Sequence, residues 1–210
     1  QAIDYAHRNE DGSVARIPDS LTTVFHTAAG REVRDGGGVS PDIEVKQERL
    51  PNILFYLVRD NLIFDYATDY CLKHPAIASA KEFELTDADY EEFKNKVKGA
   101  DFKYDQQSEK ILNTLKEAAE FEGYMKDASD EFKALENKLK HNLDRDLDYF
   151  SKDIKKMIAE EIIKRYYYQE GAIIQQLKDD KDLDEAVKVL TNPERYQQIL
   201  SVTAVTAKKE

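Results

Sequence analysis

The sequence predicts a mainly α protein that opens with a short run of strands. Three observations carry that prediction. Glycines cluster near the start, at Gly30 and Gly36-Gly37-Gly38, among β-branched residues. From Val45 onward glycine becomes scarce, and Lys, Glu, Asp, Leu and Ile dominate. In that second part apolar residues recur every three or four positions, the period of a helix with one buried face.

The elements come in this order. Residues 9–13 form a loop-type cluster, and Pro18 marks an extended entry over 16–20. Residues 21–27 are rich in β-branched and aromatic types, and 31–34 come after an Ala28-Ala29-Gly30 turn. Strand, glycine turn, strand is a hairpin signature. Val24 and His26 share one face; Phe25 shares the other with Thr23 and Thr27. Asp35-Gly36-Gly37-Gly38 then leads through Pro41-Asp42 to Ile43-Glu44-Val45. Three glycines admit positive φ, and Asp and Pro favour turns, so this is a tight crossing between strands. A phosphate cradle would need a Lys-Ser/Thr ending or a helix opening at once. Instead Val39-Ser40-Pro41 comes next, then an alternating strand-like segment.

A boundary is placed between Glu44 and Arg49, dividing the chain into 1–46 and 47–210. The first helix runs from Pro51, suited to a first turn, to Lys73. It buries Ile53, Leu57, Phe64 and Ala67, widened by Leu54, Leu62, Tyr66 and Tyr70, and ends at His74-Pro75. Thr86 caps the next helix, whose stripe is Tyr90, Phe93 and Val97 and which Gly99 closes. Phe102 and Tyr104 make a short strand or an extended link. Ser108 caps a helix carrying Ile111, Leu112, Leu115, Ala118, Ala119 and Phe121, ending near Gly123. Phe132, Leu135, Leu139, Leu143, Leu147, Phe150, Ile154, Ile158 and Ile162 then recur at steps of three or four. Unbroken from Ser129 to Tyr166, that helix would reach about 55 Å at ~1.5 Å per residue. Whole or broken once, the helix packs its stripe inside its own domain or recruits a partner helix; the steps are not a clean heptad, which favours internal packing. Tyr166, Tyr167 and Tyr168 point in different directions, with packed rings and hydroxyl tips in water. Gly171 marks a turn or a close helix contact. Asp182 with Glu185 caps a helix of Ala186, Val187 and Leu190, Pro193 starts a last helix, and residues 201–210 fray.

Composition excludes several function classes. Net charge is −11, against the basic patch that nucleic-acid binding needs. Anionic membranes would repel it. The longest apolar run, residues 53–58, stops at Arg59-Asp60, short of the ~18–20 residues of a membrane span. Cys71 is the single cysteine, which leaves no internal disulfide and no multi-cysteine zinc site. It reads as a buried structural thiol. His7, His26, His74 and His141 make no i, i+4 pair, so no metal site is expected. Residues 179–185 lack the glycine and spaced glutamate of a calcium loop. No Gly-x-Ser-x-Gly elbow appears, and Ser151-Lys152 are helix neighbours whose side chains point apart. No catalytic, cofactor-binding or metal-binding residue is assigned.

The segment Gly30-Arg31 … Gly37-Gly38-Val39-Ser40-Pro41-Asp42-Ile43-Glu44-Val45 resembles the closing part of the catalytic core of carboxy-terminal processing (tail-specific) serine peptidases. Residues 1–8 resemble the stretch directly after an earlier core strand in Bacteroidetes-type members, and the helical remainder is similar to their C-terminal extensions. The residues that carry the likeness are Gly30, Arg31, Gly37, Gly38, Pro41 and Asp42, with Ile43 and Val45 on a further strand. The resemblance implies that 1–46 ends a peptidase core and that 47–210 is a helical C-terminal domain. It implies a parent hydrolase that cuts proteins near their C-termini through a serine–lysine dyad lying upstream. This fragment would then be inactive by itself, with unpaired strand edges near residues 1–46. Protein or peptide substrates, self-association, and a periplasmic or envelope location are implied in the same way. The chain opens on Gln1 without a charged-then-apolar leader, which reads as an internal fragment. The alternative reading is an acidic helical interaction module that docks a partner through the Phe132–Ile162 stripe or the tyrosines.

Overall fold

The computed structural model describes residues 21–28, 30–35, 41–46 and 50–201. The expected loop at 9–13, the extended entry at 16–20, the Gly36-Gly37-Gly38 crossing and the tail 202–210 lie outside the described residues. Among those described the protein is mainly α, with one two-stranded sheet. They fall into two compact units, Leu50–Lys178 and the remainder.

In the remainder, β1 (Val24–His26) and β2 (Glu32–Arg34) pair antiparallel, with Phe25 opposite Val33. The hairpin expected over 21–34 is present with shorter strands. Gly30 takes φ +80°, a conformation an L side chain resists, and that lets the chain reverse. Thr27 and Arg31 close the turn, the Thr27 N–H donating to the Arg31 carbonyl at 2.8 Å. Ile43 and Val45 form no strand: residues 43–46 pair with no ladder among the described residues. Alternation alone does not make a strand, because an extended segment needs a partner for its backbone groups.

The same unit holds α8 (Lys181–Leu190) and α9 (Pro193–Leu200). The cap of α8 is Asp180, which accepts from the Leu183 N–H at 2.9 Å, not Asp182. Glu185 instead bonds Arg195 of α9 at 2.6 Å. A carboxylate two residues earlier already satisfies the first free donor, which releases Glu185 for the neighbouring helix.

In Leu50–Lys178 the expected first helix is two: α1 (Asn52–Arg59) and α2 (Leu62–Lys73). Asn61 breaks it at φ +58°, a left-handed conformation that asparagine tolerates better than most residues. His74 ends α2 as expected. α3 (Asp87–Gly99) starts with a full capping box. Thr86 Oγ1 accepts from the Asp89 N–H at 3.1 Å, and Asp89 accepts from the Thr86 N–H at 3.2 Å. Gly99 is helical, and the left-handed residue after α3 is Asp101. Phe102 and Tyr104 lie on an extended link, not a strand.

α4 (Gln107–Phe121) begins at Gln106 without a side-chain cap, so Ser108 sits inside the first turn rather than before it. The long helix expected over 129–166 is cut twice, giving α5 (Met125–Leu139), α6 (Leu143–Tyr149) and α7 (Ser151–Gln176). Asn142 accepts from the Arg145 N–H at 3.0 Å and so starts α6 afresh. Phe150 bends the chain between α6 and α7. α5 therefore folds back along α4, and the stripe serves two separate packings. Leu147, Ile154, Ile158 and Ile162 are wholly buried, whereas Leu135 and Leu139 stay exposed.

The core is built by α1, α2, α3, α6 and α7, with Ala80, Phe83, Leu85 and Phe102 from the links between them, and α2 lies along α7. Ile53, Leu57, Phe93, Ile158 and Ile162 are fully enclosed, and each side chain of this kind contributes roughly 1.5–3 kcal/mol on burial. Phe64, expected on the buried face, is exposed and lies under the Arg165 guanidinium, 4.7 Å from ring centre to Cζ. Cys71 is free and half-buried against this core rather than enclosed by it.

Candidate functional site

Buried tyrosines tie the helices of Leu50–Lys178 together through backbone carbonyls. The Tyr66 hydroxyl donates to the Asp89 carbonyl and the Tyr90 hydroxyl to the Leu147 carbonyl, both at 2.6 Å. Burial pushes both phenols far above their ordinary value, so they stay protonated donors. Tyr166 donates to the His74 carbonyl, and Tyr167 donates to the Ala78 carbonyl at 3.1 Å. The Tyr166 phenol is pushed up to about 12, chiefly by burial. Two of the three consecutive tyrosines thus bond their hydroxyls to backbone carbonyls; Tyr167 is also partly open to solvent, and Tyr168 is the most exposed. Arg165 completes this seam, donating to the Phe64 carbonyl and to Thr68 Oγ1, each at 3.1 Å.

Tyr168 also kinks α7, at φ +54°, ψ −153°. Three residues on, Gly171 packs so tightly that an added Cβ would lie 2.3 Å from Tyr167 Cβ and 2.9 Å from Ile163 Cγ2. Of the turn or close helix contact expected at Gly171, the structure has a close contact, made within α7 across its kink.

The densest polar site lies where the 102–106 link meets α6. Asp146, 3% exposed, accepts from the Tyr104 hydroxyl at 2.7 Å and from Gln106 Nε2 at 2.9 Å, both on Oδ2. Arg145 Nη1 donates to Oδ1 at 3.0 Å. A buried carboxylate is tolerable only when so paired. Burial, then the bond to Asp146, raises the Tyr104 phenol. Sequence reading missed Asp146, which stands among Asp144 and Asp148 as one more acid on a charged face. Its one hint is its place beside Leu147, wholly buried here.

Close by, Lys94 is the buried lysine among the described residues. It donates to Asp148 at 2.7 Å and pairs with Glu91 at 2.6 Å. Those two carboxylates raise its pKa and hold it charged. A serine–lysine dyad needs the opposite, a lysine held neutral to take a proton. Ser151 and Lys152 are consecutive at the start of α7. No group of three or more His, Cys, Asp or Glu able to hold a metal ion occurs among the described residues. His74 stacks on Tyr70 at 4.0 Å and His141 meets the Tyr104 ring edge-on at 4.8 Å, both structural contacts.

Of the motif residues, Gly30 turns the hairpin, and Arg31 forms an ion pair with Asp42 across eleven residues. Gly37 and Gly38 lie outside the described residues. Val24, Phe25 and Val33 are exposed on the hairpin. Elsewhere Ile111 and Leu115 of α4 are exposed on the helix face that also carries Gln107, Lys110, Thr114 and Ala118. No described helix is long and apolar enough to cross a membrane.

Among the described residues, Arg31 Nε and Gln175 Oε1 are buried side-chain polar atoms without a hydrogen-bond partner. The family model described as "probable PDZ-protease, C-terminal helical domain" matches residues 53–190. No curated protein and no solved structure matches the chain.

Proposed function

Because the chain belongs to the family of C-terminal helical domains of probable PDZ-proteases, we propose that it is the non-catalytic C-terminal part of a carboxy-terminal processing serine endopeptidase. The observation that carries this is the family match over 53–190, joined to the Gly30-Arg31 … Pro41-Asp42 motif that precedes it. In this reading, residues 1–46 close the catalytic core and 47–210 form the helical domain. The serine and lysine that cut the peptide bond stand in a preceding segment. Substrates are proteins cut near their C-termini, in the periplasm or cell envelope of a bacterium.

Two features support the reading. The buried lysine is held charged between two carboxylates, unfit as a general base. The described hairpin has two strands and exposed apolar side chains, and a lone two-stranded ribbon is marginal in water. A neighbouring strand of a larger core would supply the missing pairing.

The test compares cleavage of an unfolded protein by this chain and by a longer one that adds the upstream segment. Activity confined to the longer chain is the expected result. Activity in neither would remove the peptidase assignment and leave the helical part as a binding module.

A further inference from the structure

The hydrophobic core of Leu50–Lys178 contains no residue between Gln107 and Leu139. α4 and α5 pack on each other. Within them Leu112 and Ala119 are the buried residues, and α5 buries none. Lys116 pairs with Glu136 at 2.7 Å, binding the two helices side by side. They are therefore a two-helix layer with its own internal contacts and little share in the core.

Two short non-helical segments join this layer to the rest: residues 102–106 and residues 140–142. The segments meet, with the rings of Tyr104 and His141 4.8 Å apart. Phe102 anchors the first segment in the core, and three bonds pin the rest of it. Asn52 Nδ2 donates to the Asp105 carbonyl at 2.6 Å, and Tyr104 and Gln106 both donate to the Asp146 carboxylate. Asp146 stands on α6, the helix that the second segment leads into. One buried carboxylate thus holds one joint from the far side of the other.

We infer that α4 and α5 form a hinged arm, latched to the body of the unit by Asp146. The physical basis is the distribution of free energy. Bonds to a buried charge are worth more than neutral ones, and a charge left unpaired is costly. The arm's polar attachment is concentrated in this one site, beside Phe102, which is buried in the core that α1, α2, α3, α6 and α7 share. Loss of the latch frees the joints without opening the core. The exposed apolar side chains of Ile111 and Leu115 move with the arm.

The test uses the whole chain. Hydrogen–deuterium exchange is read for the native protein and for Asp146→Asn, Tyr104→Phe and Gln106→Met. Spin labels at Asn95→Cys on α3 and Glu120→Cys on α4, in a Cys71→Ala background, report the arm's position. In Asp146→Asn, exchange in α4 and α5, beginning with the Lys110 N–H that donates to the Gln106 carbonyl, should rise about ten-fold or more, and the label distance should broaden. Exchange in α2 and α7 should stay as in the native protein. Equal acceleration in α2 and α7 would make Asp146 an ordinary core support and overturn the inference. A narrow, unchanged distance would overturn it as well. Tyr104→Phe deletes a single hydroxyl and gives both readouts if Asp146→Asn does not fold.

Discussion

At the scale of single residues, ionisation and close contact decide what each position tolerates. Asp105 sits below its ordinary value of 3.8 because Lys110 donates to it. Asp87 is lowered by Lys155 and Asp69 by Lys96. A carboxylate lowered on folding adds stability that is complete above its unfolded value and lost as pH falls through the lower folded value. All three are solvent-exposed, so their contributions are small. The Asp105 carboxyl carbon should titrate by NMR with a midpoint under 3.8, and Lys110→Met should return it toward that value. A native midpoint at or above 3.8 would contradict the pairing. Gly171 gives a sharper case. Alanine there would drive a methyl against Tyr167 Cβ, an atom fixed to the backbone. Gly171→Ala should cost about 1–3 kcal/mol in denaturant unfolding, despite the better helix propensity of alanine.

At the scale of elements, caps and breaks matter more than periodicity. The Thr86–Asp89 box satisfies two free donors of α3. Thr86→Ala should destabilise the protein by roughly 1 kcal/mol, seen as a lower unfolding midpoint with an unchanged denaturant slope. Asn61 turns α1 into α2 through the left-handed region. Asn61→Ala should cost about 1–2 kcal/mol, and Asn61→Gly should cost less; equal effects would refute the backbone account. These elements also show how far the sequence could be read. Thr86, Pro193 and the Gly30 turn were legible because each acts through its own few neighbours. The breaks at Asn61, at 140–142 and at Phe150 were not. The apolar stripe runs through them with the helical period intact, and the chain turns there because facing surfaces exist on both sides.

At the scale of the whole molecule, Leu50–Lys178 carries an enclosed core and its own polar seams. A chain of those residues alone should fold and unfold in one cooperative step, with near-ultraviolet signals from its buried tyrosines. A gradual transition without tertiary signal would show that the unit depends on the remainder. The proposed peptidase reading makes a separate demand, since it predicts chemistry only when an upstream segment is joined. The two experiments read different things, one the folding of the helical unit and the other chemistry, so they can fail independently.

The sequence by itself determined the class of structure: an early hairpin, then helices, with Tyr90, Phe93, Val97 and Ile154 through Ile162 inside. Those features rest on local propensity and period, which a chain carries in its own order. Only the tertiary structure decided which acid was special. Asp144, Asp146 and Asp148 are alike in sequence, yet Asp146 alone of the three is enclosed and bonded to Tyr104 and Gln106, some forty residues away. Burial and pairing are relations between distant segments, and no local pattern encodes them.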